Sequence, residues 1–211
     1  MSVPPLLNTA SGRTIDLARP ERSDFLVSDI ATGLSRAARF GGQTTQPWWV
    51  IQHSLCAYDL AKSFGLSPDL QMQALLHDAE EAYLTDIPAP AKEPEDVVCH
   101  YQEGLRGAIM AWAGVPYGLD LDPAVKRIDM ILLHVEASLL QKNNAALRWP
   151  VPFEALEHLA PRRDFIEAAR AVVDRLIPKR GMGAYFVFEK LFEKLLEEWR
   201  ADHPPVVQAP R

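Results

Sequence analysis

The sequence predicts an all-α fold, a bundle of about seven helices in one domain. Three observations predict it. Apolar residues recur at offsets of three and four along most of the 211-residue chain. Helix punctuation flanks those segments: Ser67-Pro68 and Asp122-Pro123 each place a capping side chain before a proline at the first helical position, and Gly65 and Gly114 stand where helices should stop. Alternation of apolar and polar residues, the mark of a half-buried strand, nowhere runs far enough for a strand-rich domain.

Taken in order, the first forty residues read as a lead-in. Arg13 to Leu17 suits a short extended piece, and Pro20 begins a loop. Ile30, Leu34, Ala37 and Ala38 then describe an amphipathic helix over 27–40 that Gly41-Gly42 stops. A second helix is expected over 50–64. Pro68 opens a third that runs through Tyr83, and the prolines between Ile87 and Pro94 make a loop. Helices over 95–113 and 123–142 follow, then two more over 163–177 and 184–199. The organisation is a single domain over 1–211, with a core of about 8–145 and a C-terminal helical extension, 146–211. The last helix carries Tyr185, Phe186, Phe188, Leu191, Phe192, Leu195 and Trp199. That stripe should pack on the core or on a second copy, so a homo-oligomer is compatible with it.

Composition excludes several classes. The chain is 48% hydrophobic and 24% charged, values of an ordinary globular protein rather than a disordered or fibrous one. A net charge of -6 repels a long phosphate backbone, which argues against a nucleic acid polymer as partner. A small phosphorylated ligand stays open, because local Arg or Lys residues outweigh the global sign. Cys56 and Cys99 are too isolated for a disulfide framework or a cysteine zinc site. With neither a basic-then-apolar leader nor an 18-residue apolar run, the expectation is a cytoplasmic protein without membrane association.

The informative residues are polar ones on apolar stripes. In the helix opened by Asp122, Val125, Ile128, Leu132, Val135 and Leu139 form the core stripe, and Asp129 falls inside it. A carboxylate there is desolvated at a cost of several kcal/mol unless it is paired or binds a metal. In the helix from Pro68, Leu70, Ala74, His77 and Glu81 share one stripe with Asp78 beside it. In the helix from Val50, His53 lines up with Ala57, Leu60 and Phe64. Singly, each has a structural explanation: a buried ion pair for Asp129, a hydrogen-bonded core histidine for His53. Together, three helices aim two imidazoles and two carboxylates inward. That donor set, His53, His77, Asp78 and Asp129, suits one divalent ion such as Mn²⁺, Co²⁺, Fe²⁺, Ni²⁺ or Zn²⁺, with Mg²⁺ a less natural guest. Four ligands leave positions open on an ion that takes six, as a catalytic site requires.

At these residues the sequence resembles the HD-domain phosphohydrolase superfamily, whose signature is a histidine, then a His-Asp pair, then a distant aspartate on separate helices. The nearer resemblance is to its nucleotidase-like branch, which includes bacterial 5'-deoxynucleotidases and phage deoxynucleotide triphosphohydrolases. It spans about residues 8–140 and rests on Arg39-Phe40-Gly41-Gly42, Gln52-His53-Ser54, Leu76-His77-Asp78-Ala79-Glu80-Glu81 and Thr85-Asp86-Ile87-Pro88-Ala89-Pro90-Ala91-Lys92. The resemblance implies an HD-type helical bundle and a small-molecule nucleotide substrate. It implies that Glu81 orients or deprotonates the attacking water, that Asp86 is a second acidic group at the site, and that Arg39 holds the substrate phosphate. Phe40 stands where the bacterial nucleotidases carry tryptophan, which implies a different sugar or base selection.

Glu81 shares its stripe with His77, within reach of a water on the ion, while Glu80 points elsewhere and should be solvated. Arg36, one turn before Arg39, is placed to assist with phosphate, and Lys92 follows the proline-rich loop that could cover it. Trp48 and Trp49 suit the core better than base stacking. The chemistry expected is hydrolysis of a phosphoester or phosphoanhydride of a (deoxy)nucleotide. The alternatives are hydrolysis of a signalling nucleotide (alarmone or cyclic nucleotide) and a non-catalytic metal-bearing module. Alarmone hydrolases of the superfamily carry Glu-Asp where this chain has Glu81-Ala82, and degenerate modules lose ligands that are all present here. Gly-x-Ser-x-Gly, P-loop and His-Glu-x-x-His motifs are absent.

Overall fold

The computed structural model describes residues 5–88, 91, 97–118, 120–142, 162–177 and 184–203. Within them the protein is an all-α bundle, as the periodicity predicts. A small hairpin leads in: β1 (Leu6–Asn8) pairs antiparallel with β2 (Thr14–Asp16), Leu7 opposite Ile15, which is fully buried. The helices are α1 (Val27–Leu34), α2 (Val50–Ser63), α3 (Pro68–Leu76), the single turn α4 (Glu81–Leu84), α5 (Val97–Ala113), α6 (Pro123–Leu140), α7 (Arg162–Leu176) and α8 (Ala184–Asp202).

The punctuation works as read. Gly65, at φ +69°, ends α2: its N–H reaches the Lys62 carbonyl while that of Leu66 reaches Ala61, a Schellman pairing that needs a left-handed residue. The Ser67 hydroxyl accepts from the Leu70 N–H, and Asp122 Oδ1 accepts from Ala124 N–H at 2.8 Å.

Two expected helices are shorter than their apolar spacing suggests. The one over 27–40 stops at Leu34. Ser35 turns its hydroxyl onto the Thr32 carbonyl, and the backbone beyond pairs with the entry to α2: Arg39 N–H donates to Trp48 O, and Val50 N–H to Ala37 O. Arg36 and Arg39 therefore do not share a helix; Arg39 begins a 3₁₀ turn, Arg39–Gly42. The helix from Pro68 stops at Leu76 instead of reaching Tyr83. His77 Nδ1 bonds the Ala74 carbonyl at 2.7 Å, and the chain tightens into i→i+3 bonds before α4 resumes.

The core centres on α2. Its residues 50–57 are all buried, because α3, α6, α7 and α8 surround it. The C-terminal helices belong to the same core: Ala169 and Val173 of α7 and Phe192, Leu196 and Trp199 of α8 join it. The aromatic stripe of the last helix thus packs inward at Phe192 and Trp199, while the side chains of Tyr185, Phe186 and Phe188 lie outside the described residues. Close packing also fixes α4 against α1. A Cβ on Gly33 would lie 2.3 Å from the Ala82 carbonyl oxygen, so only glycine permits this approach. Among the described residues no helix is long and apolar enough to cross a membrane.

Candidate metal centre

Three elements deliver the four predicted donors to one point. His53 lies on α2, His77 and Asp78 in the turn after α3, and Asp129 on α6, with one ligand atom from each within 4.8 Å of all the others. His53 Nε2 lies 3.0 Å from His77 Nε2, 3.0 Å from Asp129 Oδ1 and 3.6 Å from Asp78 Oδ2; His77 Nε2 lies 3.3 Å from Asp78 Oδ2 and 3.7 Å from Asp129 Oδ1. Metal–ligand bonds of about 2.0–2.2 Å at right or tetrahedral angles put neighbouring ligand atoms about 3–3.5 Å apart, so the spacing fits one ion.

The ring tautomers agree. A carbonyl only accepts, so the 2.7 Å contact from His77 Nδ1 to Ala74 O places the hydrogen on Nδ1. His53 Nδ1 faces the Glu136 carboxylate at 2.8 Å. Both Nε2 lone pairs then point at each other and at two carboxylates, an arrangement that needs either a cation or extra protons. Protonation follows the same logic. Burial opposes a charge on His77, but Asp78 and Asp129 outweigh it and hold its pKa well above the usual value. His53 is raised likewise by Glu136 and Asp129 against burial and Arg39. Asp78 and Asp129 are held below the ordinary carboxylate range, against burial, chiefly by the two histidines. The histidines are sealed, whereas the side chains of Asp78 and Asp129 are 17% and 33% exposed, so the centre opens on its carboxylate side.

The sequence reading missed Glu136. It is fully buried on α6, takes His53 Nδ1 with one oxygen and Arg39 Nε with the other at 3.0 Å, and is itself held below its ordinary pKa, against burial, by Arg39 and His53. Its position seven residues after Asp129, two turns along one helix face, was the available signal. Arg39 is buried here, bonded to Glu136 and, at 3.4 Å, to Asp78. It is thus at the centre but leans on protein carboxylates. Phe40 stacks beside its guanidinium, 5.6 Å from ring centroid to Cζ.

Glu81 is 5% exposed, and its Oε2 has no hydrogen-bond partner among the described residues. Burial first, then Asp78, Asp86 and Glu80, push its pKa well above the carboxyl range, with Arg39 opposing. Glu80 is not solvated as expected: it is fully buried and ion-paired with Arg106 of α5, whose helix the turn after α3 must reach. Asp86 turns Oδ2 onto the Phe40 N–H at 3.0 Å. Arg36 is exposed and lines a cavity of about 420 Å³ between the hairpin, α1 and α4; Glu81 lines it too, and none of the four donors does. Trp48 is buried in the core. Lys92 lies outside the described residues.

Over 146 residues, 69% of its own length and 77% of the relative's, the chain is 32% identical to the uncharacterized protein YfdR of Escherichia coli. The chain belongs to the YfdR family. An uncharacterized protein of Rhodobacter capsulatus is also similar, 34% identical over 134 residues that make up 60% of this chain and 68% of that protein. No protein-family model matches. In this YfdR-family chain the helical bundle and its His/Asp cluster fit a metal-binding HD-like fold, and His53, His77, Asp78 and Asp129 could hold one ion.

Proposed function

We propose that the protein is a metal-dependent phosphohydrolase of the HD type, nearest the nucleotidase-like branch, that cleaves a phosphoester or phosphoanhydride of a (deoxy)nucleotide. One observation carries the reading: two histidine lone pairs and two carboxylates converge on one point that opens to solvent on the acidic side, with buried Glu81 close by, its Oε2 without a partner among the described residues. A divalent ion held there supplies, when bound, acidification of a water and charge neutralisation at a phosphoryl oxygen.

The chain's own residues do the rest. Glu81 Oε2 accepts the proton of the attacking water as the new P–O bond forms. Its elevated proton affinity, set by burial and neighbouring carboxylates, makes it a stronger base than a solvated glutamate. As the bond to the leaving oxygen breaks, that oxygen takes up a proton. Arg39, already desolvated and charged, presents its guanidinium beside Asp78, where the phosphoryl group must sit, and Glu136 keeps it from turning away. Phe40 contacts the substrate next to it, and Arg36, on the cavity that Glu81 also lines, adds positive charge further out. Ala82 supports this reading over an alarmone hydrolase, because it stands where such enzymes carry an acidic residue after the glutamate.

The test is a panel of nucleoside mono- and triphosphates with Mn²⁺, Co²⁺ or Mg²⁺, with phosphate, pyrophosphate and triphosphate measured separately. Turnover that Asp129→Ala abolishes is the expected result. Full turnover by Asp129→Ala, or none by the wild-type chain with any ion, would overturn the assignment.

A further inference from the structure

We infer that Asp86 is a positioning residue: it fixes Arg39 through the backbone of Phe40, by the hydrogen bond that its Oδ2 accepts. This rests on the proposed phosphohydrolase site for its kinetic consequence but not for its structural one.

The turn after Arg39 is unusual. Phe40 (φ 55°, ψ 28°) and Gly41 (φ 59°, ψ 26°) are both left-handed, a conformation natural for glycine and strained for phenylalanine. Something must hold Phe40 there, and its N–H donates to Asp86 Oδ2 at 3.0 Å. The partner segment is strained too: Thr85, β-branched, sits at φ 61° immediately before Asp86. Two strained residues on separate segments, joined by one side-chain bond, mark a geometry that the surrounding structure enforces.

What the bond controls is the exit of the chain from Arg39. On the other side, Arg39 N–H is fixed to the Trp48 carbonyl at 3.0 Å. With Phe40 released, the backbone would relax toward an ordinary conformation and swing Arg39 off Glu136 and Asp78. Oδ2 of Asp86 is thereby committed to a main-chain donor, a task for which an amide oxygen serves as well as a carboxylate oxygen.

Two measurements on the full chain decide this. The first is independent of turnover: hydrogen exchange at the Phe40 amide. Asp86→Ala should speed exchange by about tenfold or more, while Asp86→Asn keeps the protection. Unchanged exchange in Asp86→Ala would overturn the inference even if the enzyme is active. The second is turnover on the nucleotide panel. Asp86→Asn, which keeps the acceptor but removes the charge beside Glu81, should lose clearly less rate than Asp86→Ala, and adding Asp86→Ala to Arg39→Ala should cost much less than Asp86→Ala costs alone, the non-additivity of two residues acting as one unit. If Asp86→Asn is as damaged as Asp86→Ala, Asp86 acts by its charge or proton and the inference fails. A wild-type chain that turns over nothing would remove the phosphohydrolase reading, and the amide measurement would then decide the role of Asp86 alone.

Discussion

Glu136 receives the Nδ1 hydrogen of His53 at 2.8 Å, from a position fully removed from solvent. This fixes the ring so that Nε2 faces the other donors. Partners of this kind orient the ligand and raise its basicity, and their loss costs about 10–100-fold in metal affinity. Glu136→Gln should therefore bind Mn²⁺ within that range more weakly, by isothermal titration, while its circular dichroism stays native. Unchanged affinity would mean that Glu136 serves Arg39 alone.

Removing a ligand outright should do more. Thermal melts of the wild-type chain should rise with added Mn²⁺, as binding to the folded state alone requires. His77→Ala and Asp129→Ala should show no such rise. A normal rise in either variant would remove that residue from the ligand set.

Acidity gives a third expectation. In metal-free protein His77 keeps its proton well above the ordinary value of 6.5, so this group's stabilisation is complete below 6.5 and disappears as pH climbs through the raised value. Asp129, depressed well below 3.8, contributes the opposite way: its share is present above 3.8 and is lost only as pH falls through the lowered value. Melting temperature in EDTA should accordingly decline from pH 6.5 upward. The increment from Mn²⁺ should grow over the same interval, because protons and metal compete for the same lone pairs. An increment that is flat in pH would contradict the shared site.

Glu81→Gln should keep Mn²⁺ binding and lose about 10²–10⁴-fold in turnover, the usual share of a general base. Loss of the ion instead would recast Glu81 as a ligand.

Packing supplies the fifth. Gly33→Ala drives a methyl against the Ala82 backbone, which cannot yield as a flexible side chain would, and should cost about 1–3 kcal/mol in urea denaturation. A loss near zero would mean that α1 and α4 separate freely.

The donor set was legible because burial of polar groups violates helical patterning: His53, His77 and Asp129 each fall on an apolar stripe, and Asp78 stands beside one. The seven longer helices were legible for the same reason. Less visible was whatever depends on competition between local and distant bonds. The halts at Leu34 and Leu76 come from side chains of Ser35 and His77 engaging carbonyls of their own helices, and from residues 37–39 pairing with 48–50. Apolar spacing continues through both halts and does not register them. Glu80 looked solvated because its partner, Arg106, lies 26 residues away. The left-handed Phe40 left no trace either, since only the neighbouring glycines hint at that region.

Gln52, the residue before His53, gives its side-chain amide to the carbonyl of Leu176 at 2.7 Å, 124 positions downstream. A nascent chain that has made α2, α3 and α6 already contains all four candidate donors, yet the helix that braces the first of them has still to be synthesised. A shortened chain ending near residue 145 would therefore carry all four donors on an unbraced scaffold, its His53 helix without the clasp that Leu176 provides.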